Sequence, residues 1–242
     1  MAIEYRMQAP RILADFLSYH ETIKAHSQRT VDEYFLDLRN FFRYIKRLRD
    51  PSLQDVPFDQ IDIMDIDLAL IQTITLSDIY GYMTYLSRDR MRHQNSENSN
   101  KGLNAASRAR KLATIRSFFN YLCNKVHLVE ENPCKDIDSP KQMKSLPRYL
   151  TLQDSLSLLE SIDGKHKERD FCIITLFLNC GLRISELIGL NLSDIQDDAM
   201  RVLGKGNKVR VVYLNDACKD ALSRYLKVRH PISGKDRDAL FL

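Results

Sequence analysis

The chain has 242 residues, 44% of them hydrophobic and 28% charged, which is enough for two globular domains with separate cores. Its net charge of +4 is too small to predict a nucleic-acid partner before the positions of the charges are considered. No run of about 18 uncharged apolar residues occurs and the region after Met1 lacks a signal-peptide pattern, so we expect a cytoplasmic protein without a membrane partner.

Apolar residues recur at helical spacing in four segments of the first half of the chain. These segments are Arg11–His20, a helix capped by Thr30, Leu76–Arg88 and Leu103–Lys125. The polar segment Arg90–Gly102, rich in asparagine and serine, predicts a loop between the last two helices. We therefore expect an all-α bundle in this part of the chain.

An acidic segment, Pro51–Asp78, contains six aspartates and no lysine or arginine. Its central aspartates alternate with Ile61, Ile63 and Ile66, which predicts an amphipathic surface segment with a solvated acidic face. A calcium-binding loop would also need a glycine and a terminal glutamate, and both are missing. We expect no metal site here.

The fourth predicted helix, by contrast, is basic. From Leu103 to Lys125 it carries five basic residues and no acid. An apolar stripe predicts its buried side, made of Leu112, Ile115, Phe119 and Leu122. Arg108, Lys111 and Arg116 lie largely off that stripe, so the basic face is either simply solvated or a contact surface for a polyanion.

Prolines punctuate the stretch after this helix and predict a linker, so we divide the chain into residues 1–138, a linker at 139–149, and residues 150–242. In the last part, the apolar run Phe171–Leu178 predicts a helix that Gly181 ends. Helical spacing restarts at Ile184. Arg183 is thereby placed at a junction of two helices, within reach of Glu186 three residues later.

A β-hairpin is predicted next, from strands at Met200–Leu203 and Val209–Leu214 joined by Gly204–Asn207. Lys205 lies at its tip, and residues 201–210 include four basic side chains and no acid. A phosphate group is therefore the natural ligand. The glycines lie between two strands, which excludes a nucleotide-binding loop that joins a strand to a helix. The segment Asn215–Val228 predicts one more helix.

These segments together resemble the tyrosine recombinases of the phage integrase family, most closely the Xer type. The matching motifs are GLRISEL at 181–187, NLSDI at 191–195, VLGKGNKVR at 202–210, RARKLATIRSFFNYL at 108–122, ENP at 131–133 and LPRYL at 146–150. The resemblance implies a mainly α fold of two domains. An all-α SAM-like core-DNA-binding bundle precedes part of an α-rich integrase catalytic domain with a small β-hairpin or sheet.

The resemblance also implies chemistry. In this family a tyrosine hydroxyl attacks a DNA phosphodiester and forms a 3′-phosphotyrosyl link, with no metal or other cofactor. Arg183 matches the arginine that stabilises charge on the phosphate oxygens, and Lys205 matches the lysine that protonates the leaving 5′-oxygen. Glu186 matches an acidic position that would orient Arg183. We therefore expect site-specific DNA recombination by strand cleavage and rejoining.

Double-stranded DNA and further recombinase protomers are the partners that the resemblance implies, and no small-molecule substrate is expected. The candidate DNA contacts are Ser107, Arg108, Arg110, Lys111 and Arg116 on the fourth helix, Lys141, Lys144 and Arg148 in the linker, and Lys208 and Arg210 on the hairpin. The five cysteines are odd in number and lack a Cys-x-x-Cys spacing, which indicates reduced thiols.

The family's later His-x-x-Arg box and nucleophilic tyrosine have no match among these residues. His230 has Ser233 as its third neighbour and is predicted to lie in the loop His230–Gly234, and Tyr213 and Tyr225 are predicted to be structural. We therefore expect the chain to stop within the catalytic domain, and it is either part of an active enzyme or a truncated, inactive DNA-binding protein that occupies recombination sites. A helix-turn-helix regulator would leave Arg183 and Lys205 unexplained.

Overall fold

A computed structural model describes residues 5–89, 102–141, 148–230, 234 and 236–242, with the backbone alone at Tyr5, Arg6 and Lys205. The chain divides into two compact units, Met1–Lys144 and Ser145–Leu242. Most of the predicted loop Arg90–Gly102, residues 142–147 of the predicted linker and residues 231–233 of the last predicted loop lie outside the described residues. The domain bounds 1–138, 139–149 and 150–242 stay a prediction.

The first unit is helical and shows no strand in its described part. Its helices α1 to α6 are Tyr5–Gln8, Arg11–Ser18, Gln28–Arg49, Leu68–Gln72, Leu76–Arg88 and Ala105–Asn124. Helix α2 continues into a single π-helical turn, Tyr19–Ile23. The four predicted helices are confirmed, and the short helices α1 and α4 were not predicted.

Capping explains where the long helices begin. At the start of α5, Oγ1 of Thr75 accepts from the amide of Asp78 at 3.3 Å, and Oδ2 of Asp78 accepts from the amide of Thr75 at 2.8 Å. Helix α3 begins at Gln28, before the predicted cap Thr30. Its cap is Ser27, whose Oγ accepts from the amide of Thr30 at 3.4 Å.

The core of the first unit is aromatic. Its fully buried rings are Phe16, Phe35, Phe41, Phe42, Tyr82, Phe118 and Phe119. Phe118 of α6 packs edge-to-face against Phe16 of α2 and Phe42 of α3, with ring centroids 5.3 and 5.6 Å apart. The predicted stripe of α6 is confirmed, since all four of its residues are fully buried: Leu112, Ile115, Phe119 and Leu122. Helix α6 is therefore held by one face against the bundle.

The acidic segment after α3 is docked against that helix. Ile61, Ile63 and Ile66 are buried, as the alternation predicts. The aspartates are not simply solvated, however, because Lys46 of α3 donates to both carboxylate oxygens of Asp65 at 2.7 and 2.8 Å. Arg43 Nε also donates to the carbonyl of Ile61 at 2.9 Å. The basic carboxy-terminal half of α3 thus neutralises part of the acidic segment that packs against it.

His20, in the π-helical turn, is a buried titratable group. Its Nδ1 lies 3.3 Å from Nδ1 of His26, and its Nε2 lies 3.2 Å from Oγ of Ser117 on α6. Burial, followed by the charges of His26 and Lys24, lowers the pKa of His20 from 6.5 to about 4. The folded first unit therefore contains a neutral imidazole between α2 and α6.

We expect the first unit to lose stability in mild acid. The unfolded chain protonates His20 below pH 6.5 but the folded chain only near pH 4, so stability falls as the pH drops through that window. With allowance for solvent screening, the loss between pH 7 and pH 4 should be about 2 kcal/mol. Urea unfolding of the wild type and of His20→Phe at both pH values measures this share.

The matched control is His127→Asn, because His127 is exposed and has a φ of 52° that asparagine tolerates. This variant should keep the acid sensitivity of the wild type. Equal acid sensitivity in the wild type and in His20→Phe would show that His20 is not its source.

The second unit combines helices with a small sheet. Helices α7 to α10 are Leu152–Glu160, Lys167–Cys180, Ile184–Ile188 and Asp216–Val228, and strands β1 to β3 are Ile195–Gln196, Ala199–Leu203 and Val209–Tyr213. The strands are antiparallel in the order β1-β2-β3. The predicted fold class and hairpin are confirmed, whereas β1 and α7 were not predicted. None of the described helices in either unit is long and apolar enough to span a bilayer.

The two tyrosines near the hairpin differ in their surroundings. Tyr225 of α10 is buried, and its hydroxyl donates to the carbonyl of Leu240 at 3.1 Å, which confirms a packing role. Tyr213 is 81% exposed, because alternate residues of β3 point away from the core. Tyr213 therefore lies in a strand, as predicted, with its ring outside the core.

All five cysteines are free, and three of them are buried. In the second unit, Sγ of Cys180, at the end of α8, lies 3.8 Å from Sγ of Cys218 on α10. Burial raises the pKa of Cys218 to about 12, so its thiol is protonated at neutral pH.

Candidate active site

The junction between α8 and α9 presents Arg183 to solvent. Helix α8 ends at Gly181, which adopts the left-handed conformation with φ 57° and ψ 39°. The chain then extends through Arg183, at φ −81° and ψ 152°, and α9 begins at Ile184. The Arg183 side chain is 72% exposed. Gly181, predicted from the sequence to end the helix, thus fixes the position from which the Arg183 side chain projects.

Glu186, one turn into α9, is the buried anchor of this junction, with 3% of its side chain exposed. Its Oε2 accepts from the amide of Arg183 at 2.9 Å, and its Oε1 accepts from Nη1 of Arg183 at 2.8 Å. The contact predicted between these two residues is therefore present. It joins the arginine to the first turn of its own helix.

A second arginine shares the same carboxylate. Arg210 of β3 donates from Nη1 to Oε1 of Glu186 at 2.8 Å and from Nη2 to Oε2 at 2.9 Å. This is a bidentate pair with two parallel hydrogen bonds, whereas Arg183 contributes one side-chain bond and one backbone bond. The pKa of Glu186 is lowered from 4.5 to about 2, first by the hydrogen bonds from Arg210 and next by the hydrogen bond from the Arg183 amide. The anchor is therefore ionised at every physiological pH.

The hairpin turn connects β2 to β3 beside this carboxylate. The amide of Gly204 donates to the carbonyl of Lys208 at 2.8 Å, and Gly206 and Asn207 both have positive φ, 73° and 61°. Lys205 lies at the start of this turn, as predicted, but its side chain lies outside the described residues. Lys208 is exposed.

In the first unit, Lys111 of α6 does not lie on the exposed basic face. Its side chain is 8% exposed and its Nζ lies 2.5 Å from Oδ1 of Asp37, a fully buried residue of α3. The apolar spacing suggested that Lys111 lies off the buried stripe, and that placement is wrong because Asp37 supplies a counter-ion inside the bundle. Lys111 therefore offers little surface to a phosphate group.

The other basic residues of α6 remain at least partly accessible. Arg110 has 46% of its side chain exposed although it pairs with both oxygens of Asp37, at 2.7 and 3.0 Å. Arg116 donates to Oγ of Ser139 at 3.0 Å. Ser107 and Arg108 lie in the first turn, partly exposed.

Of the predicted linker contacts, Lys141 and Arg148 are exposed, and Lys144 lies outside the described residues. Sequence reasoning missed Asp37 and the partner of Arg210. For Asp37 a signal existed, because it precedes the buried Phe41 and Ile45 by four and eight residues on the same face of α3. Arg210 carried no comparable signal, since its partner lies 24 residues away in the chain.

Comparison with known proteins gives matches over both units. The profile of the phage integrase family matches residues 148–242, and that of the phage integrase N-terminal SAM-like domain matches residues 13–125. Tyrosine recombinase XerC of Caldanaerobacter subterraneus subsp. tengcongensis is 48% identical over 98% of this chain and 64% of its own length. XerC of Thermodesulfovibrio yellowstonii is 31% identical over 94% and 65%. The chain thus spans slightly less than two thirds of these relatives.

Solved structures with the same fold include recombinases bound to DNA. The XerH site-specific recombinase bound to palindromic difH substrate, in a post-cleavage complex, matches with a TM-score of 0.60 at 18% identity over 95% of this chain and 61% of that one. A lambda integrase tetramer bound to a Holliday junction matches with a TM-score of 0.58 at 18% identity over 94% and 61%. At these identities the likeness shows the fold.

Proposed function

The chain belongs to the phage integrase family of tyrosine recombinases, and on that premise we propose that it binds double-stranded DNA and contributes Arg183 and Lys205 to cleavage and rejoining of DNA strands in site-specific recombination. Further recombinase protomers on the same DNA are part of the proposal. The five free cysteines suit a reducing compartment, so we place this activity in the cytoplasm.

One observation carries the proposal: Arg183 is anchored but still available. Its backbone amide and Nη1 are held by a buried carboxylate, while 72% of its side chain is exposed. The Arg183 guanidinium has three nitrogens, and among the described residues only Nη1 makes a hydrogen bond. Nε and Nη2 are therefore left for a phosphate group. A surface ion pair of ordinary type would have its acid exposed as well, and Glu186 is buried.

The chemistry follows from where charge develops. When a tyrosine oxygen of the family enzyme attacks phosphorus, a P–O bond to tyrosine forms and the bond to the 5′-oxygen breaks. Negative charge builds on the non-bridging oxygens, and a fixed guanidinium stabilises it more in the transition state than in the ground state. The departing 5′-oxygen takes a proton, for which Lys205 on the hairpin turn is the proposed donor. Glu186 orients Arg183 and performs no proton transfer, because it stays ionised.

The DNA surface that we propose comprises the accessible part of the predicted set. It includes Ser107, Arg108 and Arg116 of α6, Lys141 and Arg148 of the predicted linker, and Lys208 of the hairpin. Arg110 adds positive charge, although Asp37 holds both of its terminal nitrogens. Lys144, which lies outside the described residues, stays a predicted contact. Cations of this kind bind backbone phosphates and position a protein on the duplex, with little information about base sequence.

We expect the affinity of this chain for a 30-base-pair duplex to fall steeply with salt. Release of counter-ions from five or more neutralised phosphates should weaken binding by about 10² to 10⁴-fold between 50 and 200 mM salt. Fluorescence anisotropy measures this slope. In Arg116→Gln the slope of log affinity against log salt should decrease by about 0.9.

Lys46→Gln is the matched control, because it removes the same charge from a lysine that Asp65 already neutralises. Its slope should equal that of the wild type. Absence of binding at 50 mM salt would overturn the proposal. A nicked duplex that traps covalent intermediates adds a second test: an adduct that survives detergent would show that this chain itself supplies the nucleophile, and its absence would favour the DNA-binding role alone.

A further inference from the structure

We infer that Arg210 is a positioning residue that keeps Arg183 available to phosphate by occupying Glu186, rather than a phosphate ligand itself. This inference rests on the proposed function for its consequence, but the arrangement it describes exists without DNA. Its basis is the unequal way in which two arginines divide one buried carboxylate.

The hydrogen bonds give the division. Arg210 uses both terminal nitrogens on both oxygens of Glu186, at 2.8 and 2.9 Å, and the Arg183 amide takes a further position on Oε2. Arg183 is left with a single side-chain bond, from Nη1 to Oε1 at 2.8 Å. Four donors thus converge on one carboxylate. A guanidinium bound by both its terminal nitrogens has its charge compensated and its fork occupied, which disfavours a second bidentate contact to phosphate.

Exposure agrees with this division. The Arg183 side chain is 72% exposed and that of Arg210 is 40% exposed. Arg210 pairs across the hairpin with Val202, which is fully buried, so the backbone from which it reaches Glu186 is fixed by the core. Because its backbone and its guanidinium are both held in place, Arg210 suits a positioning role better than a mobile contact with phosphate.

The same carboxylate also touches the base of the hairpin. A methyl group built on Gly204 would lie 3.6 Å from Oε1 of Glu186 and 3.9 Å from Nη1 of Arg210. Gly204 immediately precedes Lys205. The Glu186–Arg210 pair therefore lies between the two parts of the proposed site, the end of α8 with Arg183 and the turn with Lys205.

Removing Arg210 has a specific consequence in this arrangement. Both oxygens of Glu186 would lose a donor, and Arg183, whose Nη1 already contacts Oε1, can replace it. A bidentate clasp between Arg183 and Glu186 would satisfy the buried carboxylate and withdraw the arginine from phosphate. Removing Glu186 as well eliminates the charge that captures Arg183.

Arginine labelling with phenylglyoxal, followed by peptide mass spectrometry on the 242-residue chain, tests this without DNA. We expect Arg210→Gln to slow labelling of Arg183 by roughly tenfold, since one more charge-assisted hydrogen bond must break before reaction. The double variant Arg210→Gln/Glu186→Gln should restore rapid labelling of Arg183. Arg201→Gln removes the same charge from the same sheet and should leave Arg183 at the wild-type rate, with exposed Arg148 as the internal reference.

Unchanged or faster labelling of Arg183 in Arg210→Gln would overturn the inference, as would slow labelling that the double variant does not restore. A faster labelling of all arginines in Arg210→Gln would mean that this variant has unfolded. Arg210→Lys, which keeps the charge and one hydrogen bond, would then replace it, and the labelling rate of Arg183 would be compared with and without Glu186→Gln. Protection of wild-type Arg183 by duplex DNA is measured separately. Its absence would count against the proposed function and leave the labelling result standing.

Discussion

Replacing Asp37 with alanine is expected to destabilise the first unit by about 3 to 5 kcal/mol, because it removes a buried carboxylate on which three side chains converge. Asp37 is fully buried and accepts from Lys111 at 2.5 Å, from Thr114 Oγ1 at 3.0 Å and from both terminal nitrogens of Arg110. Arg110 can turn to solvent when the acid is removed, but Lys111, with 8% of its side chain exposed, cannot. Urea unfolding at pH 7 gives the free energy of unfolding.

Two further variants separate this explanation from general damage to α3. Glu33→Ala removes an acid from the same helix that pairs with Arg110 in a half-exposed position, and it should change stability by less than about 0.5 kcal/mol. Asp37→Ala/Lys111→Met also removes the cation that contacts Asp37 in the wild type and should be more stable than Asp37→Ala alone. If the double variant is no more stable than the single one, loss of the ion pair is not the cause.

Replacing Arg183 with alanine is expected to lower the rate of DNA cleavage by about 10³-fold while leaving DNA affinity nearly unchanged. The reason is that in the proposed site its guanidinium binds charge that develops only in the transition state, whereas the proposed affinity is spread over many phosphate contacts. The measurement needs a chain of family length. Residues 1–242 joined to the part of the 48%-identical XerC relative that the match does not cover provide one, assayed on a duplex that this fusion cleaves.

Arg183→Lys is informative beside it, because lysine keeps the charge and loses the planar fork, so its rate should fall between those of the wild type and of Arg183→Ala. Arg169→Ala is the control. It removes an arginine of the same unit that contacts Asp170 and should cleave at the wild-type rate. Cleavage by Arg183→Ala at the wild-type rate would remove Arg183 from the site, and equal loss of binding and cleavage would make it a DNA contact only.

Local signals in the sequence were sufficient for the position of Arg183 and for the described helices other than α1, α4 and α7, which were not predicted. Helix α5 was predicted with its observed bounds because Thr75 and Asp78 cap it within four residues, and the α8–α9 junction because Gly181 is a local stop. The hairpin likewise depends on residues that are neighbours in the chain. Strand β1 has only two residues and lacks an alternation long enough to be recognised.

Ion pairs between distant segments could not be predicted in the same way. Lys111 lies 74 residues from Asp37, and nothing in the local pattern of α6 distinguishes a lysine with a buried partner from a solvated one. The prediction that Arg210 contacts DNA rests on the same kind of signal, since the sequence near a hairpin tip does not show whether a carboxylate lies close to the arginine. Burial and partners of charged residues are tertiary properties.

The thiol contact at the end of α8 has a practical consequence for every assay of Arg183. Cys180 comes three residues before Arg183, and its Sγ is 3.8 Å from that of Cys218. A disulfide would require the sulfurs to approach to about 2 Å, which would pull the end of α8 toward α10 and move the Gly181 turn. Burial raises the pKa of both thiols and so slows their oxidation, but a sample in which the bond has formed would behave like a weak Arg183 variant although its sequence is intact. Preparations should therefore be kept in a non-thiol reductant, and the mass of the intact chain checked before rates are compared.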